Sequence, residues 1–128
     1  MATRTSSVSF ESDSLRIRAV RCRAPAHDCG GIEYSPAHTL VLPQSGVFVK
    51  YDGPHAAQVA DAAHGVFFTA HRPYRVSHPA DTGDDCLVLE YRPAALLQVL
   101  AVVDPDAASA PHTPFPAGAV PLHPRTAA

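Results

Sequence analysis

The chain contains no tryptophan, one methionine and a single lysine, Lys50, so nearly all of its positive charge rests on arginine. Ten basic residues stand against twelve acidic ones, giving a formal net charge of −2. The broad basic footprint that duplex nucleic acid requires is therefore missing, and the one arginine cluster (residues 16, 18, 21 and 23) reads as the solvated face of a strand. No apolar run approaches the length that spans a bilayer, and residues 1–14 lack the apolar stretch of a secretory leader. Cysteine is scarce too. Cys22, Cys29 and Cys86 cannot all pair with one another, and with no leader in view they are expected to be reduced, in a cytoplasm.

What is present is punctuation. Thirteen prolines and seven glycines divide 128 residues into short segments, and the 46% apolar content suffices for a single core. The stretch from His64 to Tyr91, HGVFFTAHRPYRVSHPADTGDDCLVLEY, reads as three strands, 66–69, 74–78 and 86–91. Tyr74, Val76 and His78 alternate onto one face. Leu87, Leu89 and Tyr91 share one face of the last strand, and Cys86, Val88 and Glu90 share the other. The turn-forming connection 79–85 predicts a looped hairpin that brings His78 and Cys86 together. Upstream, 38–42 and 47–51 flank Pro43-Gln44-Ser45-Gly46 and form the best hairpin candidate in the sequence. Residues 56–60 are a weaker strand. Residues 15–22 are a strand whose apolar phase changes partway, as at a bulge or an edge. Turn signals every eight to twelve residues or so, with no helical segment between strands, predict an antiparallel sandwich or barrel.

After Tyr91 the texture changes. Pro93 suits the first position of a helix, and 94–103 lacks Gly and Pro and carries Leu96, Leu97 and Leu100. A helix of two to three turns is expected, closed by Asp104-Pro105. The resulting organisation is a flexible tail at 1–14, a folded unit at 15–103, and a linker with one last extended piece at 104–128.

The order LVLPQSGVFVKYDG, GVFFTAHRPYRVSHP, GDDCLVLEYRPAALL resembles the cupin-like N-terminal domain of AraC-family transcriptional regulators, with weaker likeness at VRCRAPAHDCGG and FPAGAVPLHP. The resemblance implies a mainly β fold, a cupin-like antiparallel β-barrel or jelly roll with a short C-terminal helix. It also implies an effector-sensing or dimerising role without catalysis. The DNA-binding helix-turn-helix half of such regulators is absent from this chain, so DNA contact would come through that missing part. Enzyme-type cupins are similar to one another in a pattern containing His-x-His and a Glu that grip a metal. This sequence has no His-x-His, which argues against a catalytic centre of that kind; the alternative is a small metal-dependent cupin enzyme.

Two sets of candidate site residues emerge. Cys22, His27, His78 and Cys86, with Cys29 as a substitute, would make a Cys2His2 site for zinc that staples the first strand to the last hairpin. The competing account is plain packing of the cysteines. A Cys86–His78 nucleophile pair lacks any visible orienting group or oxyanion loop. For an unidentified small-molecule effector, the lining residues are Phe48, Phe68, His71, Arg72, Tyr74 and Tyr91. Phe67 is the alternate to Phe68, since neighbours on a strand face opposite ways. The acidic run DTGDD lacks the spacing of a calcium loop and reads as a solvated turn. The apolar helix, through Leu96, Leu97, Leu100 and Val103, is the expected homodimer surface.

Overall fold

The computed structural model describes residues 3–23, 30–54, 56–79, 83–110, 114–115 and 118–122. Among them the strands are β1 (Thr3–Glu11), β2 (Leu15–Arg23), β3 (Glu33–Tyr34), β4 (Thr39–Gly46), β5 (Phe48–Gly53), β6 (Ala56–Ala60), β7 (His64–Phe68), β8 (Pro73–Ser77), β9 (Asp84–Tyr91) and β10 (Ala119–Pro121). Two helices, α1 (Pro93–Val103) and α2 (Pro105–Ala108), lie between β9 and β10. A six-stranded sheet runs β1-β2-β9-β4-β7-β10 and a four-stranded sheet runs β3-β8-β5-β6. The fold is mainly β and antiparallel, as expected. It takes the open jelly-roll form, two sheets facing each other, rather than a closed barrel. No helix among the described residues is long and apolar enough to cross a membrane.

Period-two alternation decides what lies between the sheets. From the large sheet come Val41, Val66, Phe68, Cys86 and Val88; from the small one come Phe48 and Ala60, with Tyr74 and Val76 packed beside them. Phe68 is therefore the inward member of its pair. Phe67 points away and stacks on Phe115, with ring centroids 4.4 Å apart. Lys50 is also inside, 4% exposed. Its ammonium donates to the Phe67 carbonyl at 2.9 Å, meets Asp52 at 3.0 Å, and lies 4.5 Å from the centroid of the Phe68 ring.

Several sequence expectations need correction. Residues 3–11 are no flexible tail. They form β1, paired along its length with β2 from Thr3↔Arg23 to Glu11↔Arg16. The Ser-rich composition hides Thr3, Thr5, Val8 and Phe10, which suit a strand, and Ser12 turns the chain by accepting the amides of Ser14 and Leu15. The bulge or edge expected at residues 15–22 is neither, since β2 lies between β1 and β9 and the bulge falls in β1, between Val8 and Phe10. Neither expected hairpin is a ladder. β4 pairs with β7 and β9, while β5 pairs with β6 and β8, so the chain changes sheets at Gly46. The 79–83 connection likewise carries the chain from β8 in the small sheet to β9 in the large one. Turn composition marks a reversal of the chain but does not say whether the two arms pair.

The arginines of β2 are engaged by carboxylates. Arg16 pairs with Glu11 at 2.6 Å, Arg18 with Glu90, and Arg21 and Arg23 with Asp85 at 3.1 and 3.3 Å. α1 begins at Pro93 as expected, and Asp104 caps its end by donating its amide to the Leu100 carbonyl at 2.8 Å. The stretch expected to be a linker adds α2 and then β10, which lies against β7 with Ala119 opposite Val66.

Gly83 makes a close corner against β2 just before β9 begins. Its φ is +70°, and a Cβ there would stand 2.0 Å from the Cys22 carbonyl oxygen. Gly83→Ala should therefore cost at least about 2 kcal/mol, from backbone strain plus the clash. Gly31→Ala, which meets nothing within 4 Å, should stay within about 0.5 kcal/mol of the parent. Urea unfolding of the two variants checks this, and equal midpoints would contradict the corner's role.

Candidate metal and ligand site between the sheets

The inner face of β2 presents Arg18, Val20 and Cys22, and that of β9 presents Asp84, Cys86, Val88 and Glu90. The register places Val20 opposite Cys86, Cys22 opposite Asp84 and Arg18 opposite Val88, so these side chains form one continuous surface. Phe48, Phe68, Tyr74, Val76 and His78 face it from the rest of the sandwich. Between them lies a cavity of about 240 Å³, enough for a small molecule.

The cavity is polar at both ends. At one end the Arg18 guanidinium donates through Nε to Glu90, and through Nη1 to Ser6 Oγ at 3.0 Å. At the other, Asp84 gathers two neighbours. Its Oδ2 lies 2.9 Å from His78 Nε2, and its Oδ1 accepts the Cys86 thiol at 3.2 Å. Cys22, His78, Asp84 and Cys86 are all buried, none more than 6% exposed. Donor atoms of Cys22, His78 and Asp84 lie within 4.8 Å of one another, so this cluster could hold a metal ion.

Burial and the adjacent Asp84 carboxylate push both thiols above their ordinary range, Cys86 strongly. Arg4 partly offsets this for Cys22. Burial, then Glu33, raises the Tyr74 phenol in the same direction. A thiol so placed is protonated at neutral pH and is a poor nucleophile on its own. The thiol donates to the Asp84 carboxylate, whose other oxygen is bonded to His78, and not to the imidazole base that an activated nucleophile needs.

Of the residues expected to bind metal, Cys22, His78 and Cys86 come together here, while His27 and Cys29 lie outside the described residues. Of the expected ligand-lining residues, Phe48, Phe68 and Tyr74 face the cavity. His71 and Arg72 are exposed on the β7–β8 turn, where His71 has a φ of +63°, and Arg72 borders a separate cleft beside Lys50. Tyr91 stands opposite Leu15 and is not part of the lining. Asp84 was missed because DTGDD reads as a solvated turn, yet it is 6% exposed. Carrying the Cys86–Val88 alternation two residues back would have placed it inside; carried forward, the same alternation reaches Glu90.

No family model and no curated protein matches this sequence. Solved structures do match in shape. A cupin superfamily protein from Desulfitobacterium hafniense aligns at TM-score 0.53 and 15% identity, over 70% of this chain and 77% of that one. The cupin domain of an XRE family transcriptional regulator from Enterobacter cloacae aligns at 0.54 and 13%, over 70% and 97%. The DMSP lyase DddQ from Ruegeria pomeroyi aligns at 0.57 and 20%, over 70% of this chain and 47% of that one. At these identities the likeness establishes the fold alone.

The Arg18–Glu90 pair is half-shielded, with side-chain exposures of 32% and 17%. Glu90→Gln leaves the guanidinium without its counter-charge inside the cavity. It should cost about 1–2 kcal/mol, after discounting for partial solvent access. A thermal melt checks this: the midpoint should fall by roughly 5–10 °C for a domain of this size.

Proposed function

This chain has the cupin fold, and we propose that it serves as the effector-sensing and dimerisation domain of an AraC-type transcriptional regulator in the cytoplasm. The observation that carries the reading is the inter-sheet cavity, built from aromatic walls with charged groups at both ends. Such a lining suits recognition of a small polar effector. The sequence lacks the His-x-His of enzyme-type cupins, and the cupin domain of the Enterobacter cloacae regulator is a precedent for the fold in transcriptional control. The sequence order around LVLPQSGVFVKYDG and GDDCLVLEYRPAALL supports the AraC type in particular. Zinc is the ion that the Cys/His/Asp donors suit best.

Reading the coding sequence beyond Ala128 tests this directly. Two helix-turn-helix units in frame are expected. A frame that ends without one overturns the regulator reading in favour of a small metal-dependent enzyme; the DMSP lyase is an enzyme of similar shape.

Dimerisation is assigned to α1. The face expected to dimerise is not the exposed one: Leu96 is buried and Leu97 and Leu100 are half-buried, whereas Val99 and Val102 are 59% and 83% exposed on the same helix. A second copy would cover those valines. Val102→Glu should raise the dimer dissociation constant at least ~10-fold, the cost of burying a charge in an apolar contact. Sedimentation equilibrium reads this out, and a parent protein that stays monomeric at high micromolar concentration counts against the surface.

A further inference from the structure

We infer that Cys22, His78 and Asp84 form a three-ligand site for a zinc-class divalent ion, with the fourth coordination position open to the effector cavity. The inference rests on the sensing reading above and gives that cavity a chemistry. Its residues share nothing with a paired-histidine centre. They come from the end of β2, the residue after β8 and the first residue of β9.

Geometry supports three ligands. The three donor atoms already lie within 4.8 Å of one another. Tetrahedral zinc with thiolate and imidazole ligands needs donor separations of about 3.5 Å, within reach of small side-chain rotations. His78 Nε2 and Asp84 Oδ2 already face each other at 2.9 Å, and an ion entering between them would displace the proton of that hydrogen bond. Cys86 bonds to the other Asp84 oxygen and stands outside the mutual set.

Charge points the same way. One thiolate, one carboxylate and a neutral imidazole cancel a divalent cation, so the loaded site is neutral in a region where an uncompensated charge is costly. A second thiolate from Cys86 would leave a buried negative charge. Three protein ligands with one open position is also the pattern of zinc sites that bind a further molecule, as opposed to closed structural ones. Cys22, His78 and Asp84 all line the cavity with Phe48, Phe68 and Tyr74. The effector class that follows is a small molecule with an oxygen, nitrogen or sulfur donor at its head and an apolar body against those rings.

Cobalt(II) is the probe, titrated into the 128-residue chain under reducing conditions. One equivalent should give the intense visible d–d bands of a tetrahedral site and a thiolate charge-transfer band. Cys22→Ser should abolish the charge-transfer band and weaken binding by at least ~100-fold, beyond the ~10–100-fold that loss of an outer hydrogen-bond partner costs. Cys86→Ser should keep both features, and it serves as the folding control, with circular dichroism run on each variant. Azide added to the loaded protein should shift the d–d bands by entering the open position. Absence of bands with the parent protein overturns the site. Loss of the charge-transfer band in a folded Cys86→Ser variant, or a spectrum indifferent to azide, overturns the three-ligand, open form. None of these outcomes depends on the reading frame beyond Ala128, so the site and the regulatory reading can fail separately.

Discussion

Strand β9 is the element on which the rest of the structure depends. It pairs with β2 along one edge and with β4 along the other, and its alternation sorts the whole sandwich into inside and outside. Asp84, Cys86 and Val88 are turned inward and buried, with Glu90 behind them, while Leu87 and Leu89 face the opposite way. A slip of one residue would put two leucines into the cavity and four functional side chains on the outer face. The glycines at either side protect this register. Gly46 and Gly83 approach so closely that a Cβ on Gly46 would lie 2.1 Å from the Gly83 carbonyl oxygen.

The interior is not an ordinary apolar core. Val41, Val66, Val88, Phe48 and Phe68 supply the hydrophobic part, yet Thr39, Lys50, His78 and Asp84 are just as buried. Polar groups in such places are tolerable only when bonded, and the ones at the cavity ends are: Asp84 to His78 and Cys86, Arg18 to Glu90 and Ser6. The arrangement spends folding energy to keep a polar space between two sheets. Filling it with apolar side chains would have been the stabler choice for a domain this small.

How much of this was readable beforehand depends on the kind of signal. The strands from 39 onward and the start of α1 at Pro93 follow from periodicity and turn residues, while His78 and Cys86 come near each other through facing sheets and not through the hairpin that predicted it. Which strands pair does not follow from those signals, because Pro43-Gln44-Ser45-Gly46 bends the chain equally well into a hairpin or into the other sheet. β1 escaped because its nine residues are all exposed, leaving no apolar alternation to detect. Asp84 escaped for a different reason, whereas Glu90 was already on the face of Cys86 and Val88. An acidic residue at the start of a strand is usually solvated, and only the phase of Cys86 and Val88, carried back two residues, turns Asp84 inward.

Lys50 has a consequence that reaches beyond packing. The chain has this one lysine, and its ammonium is held inside by a backbone carbonyl, a carboxylate and an aromatic face. The folded surface therefore offers no ε-amine to acylating reagents, acetyltransferases or ubiquitin ligases. Amine-directed crosslinkers and dyes would reach this lysine only once the sheets part. In this domain, covalent modification of a lysine would report an opening event and say nothing about the exterior.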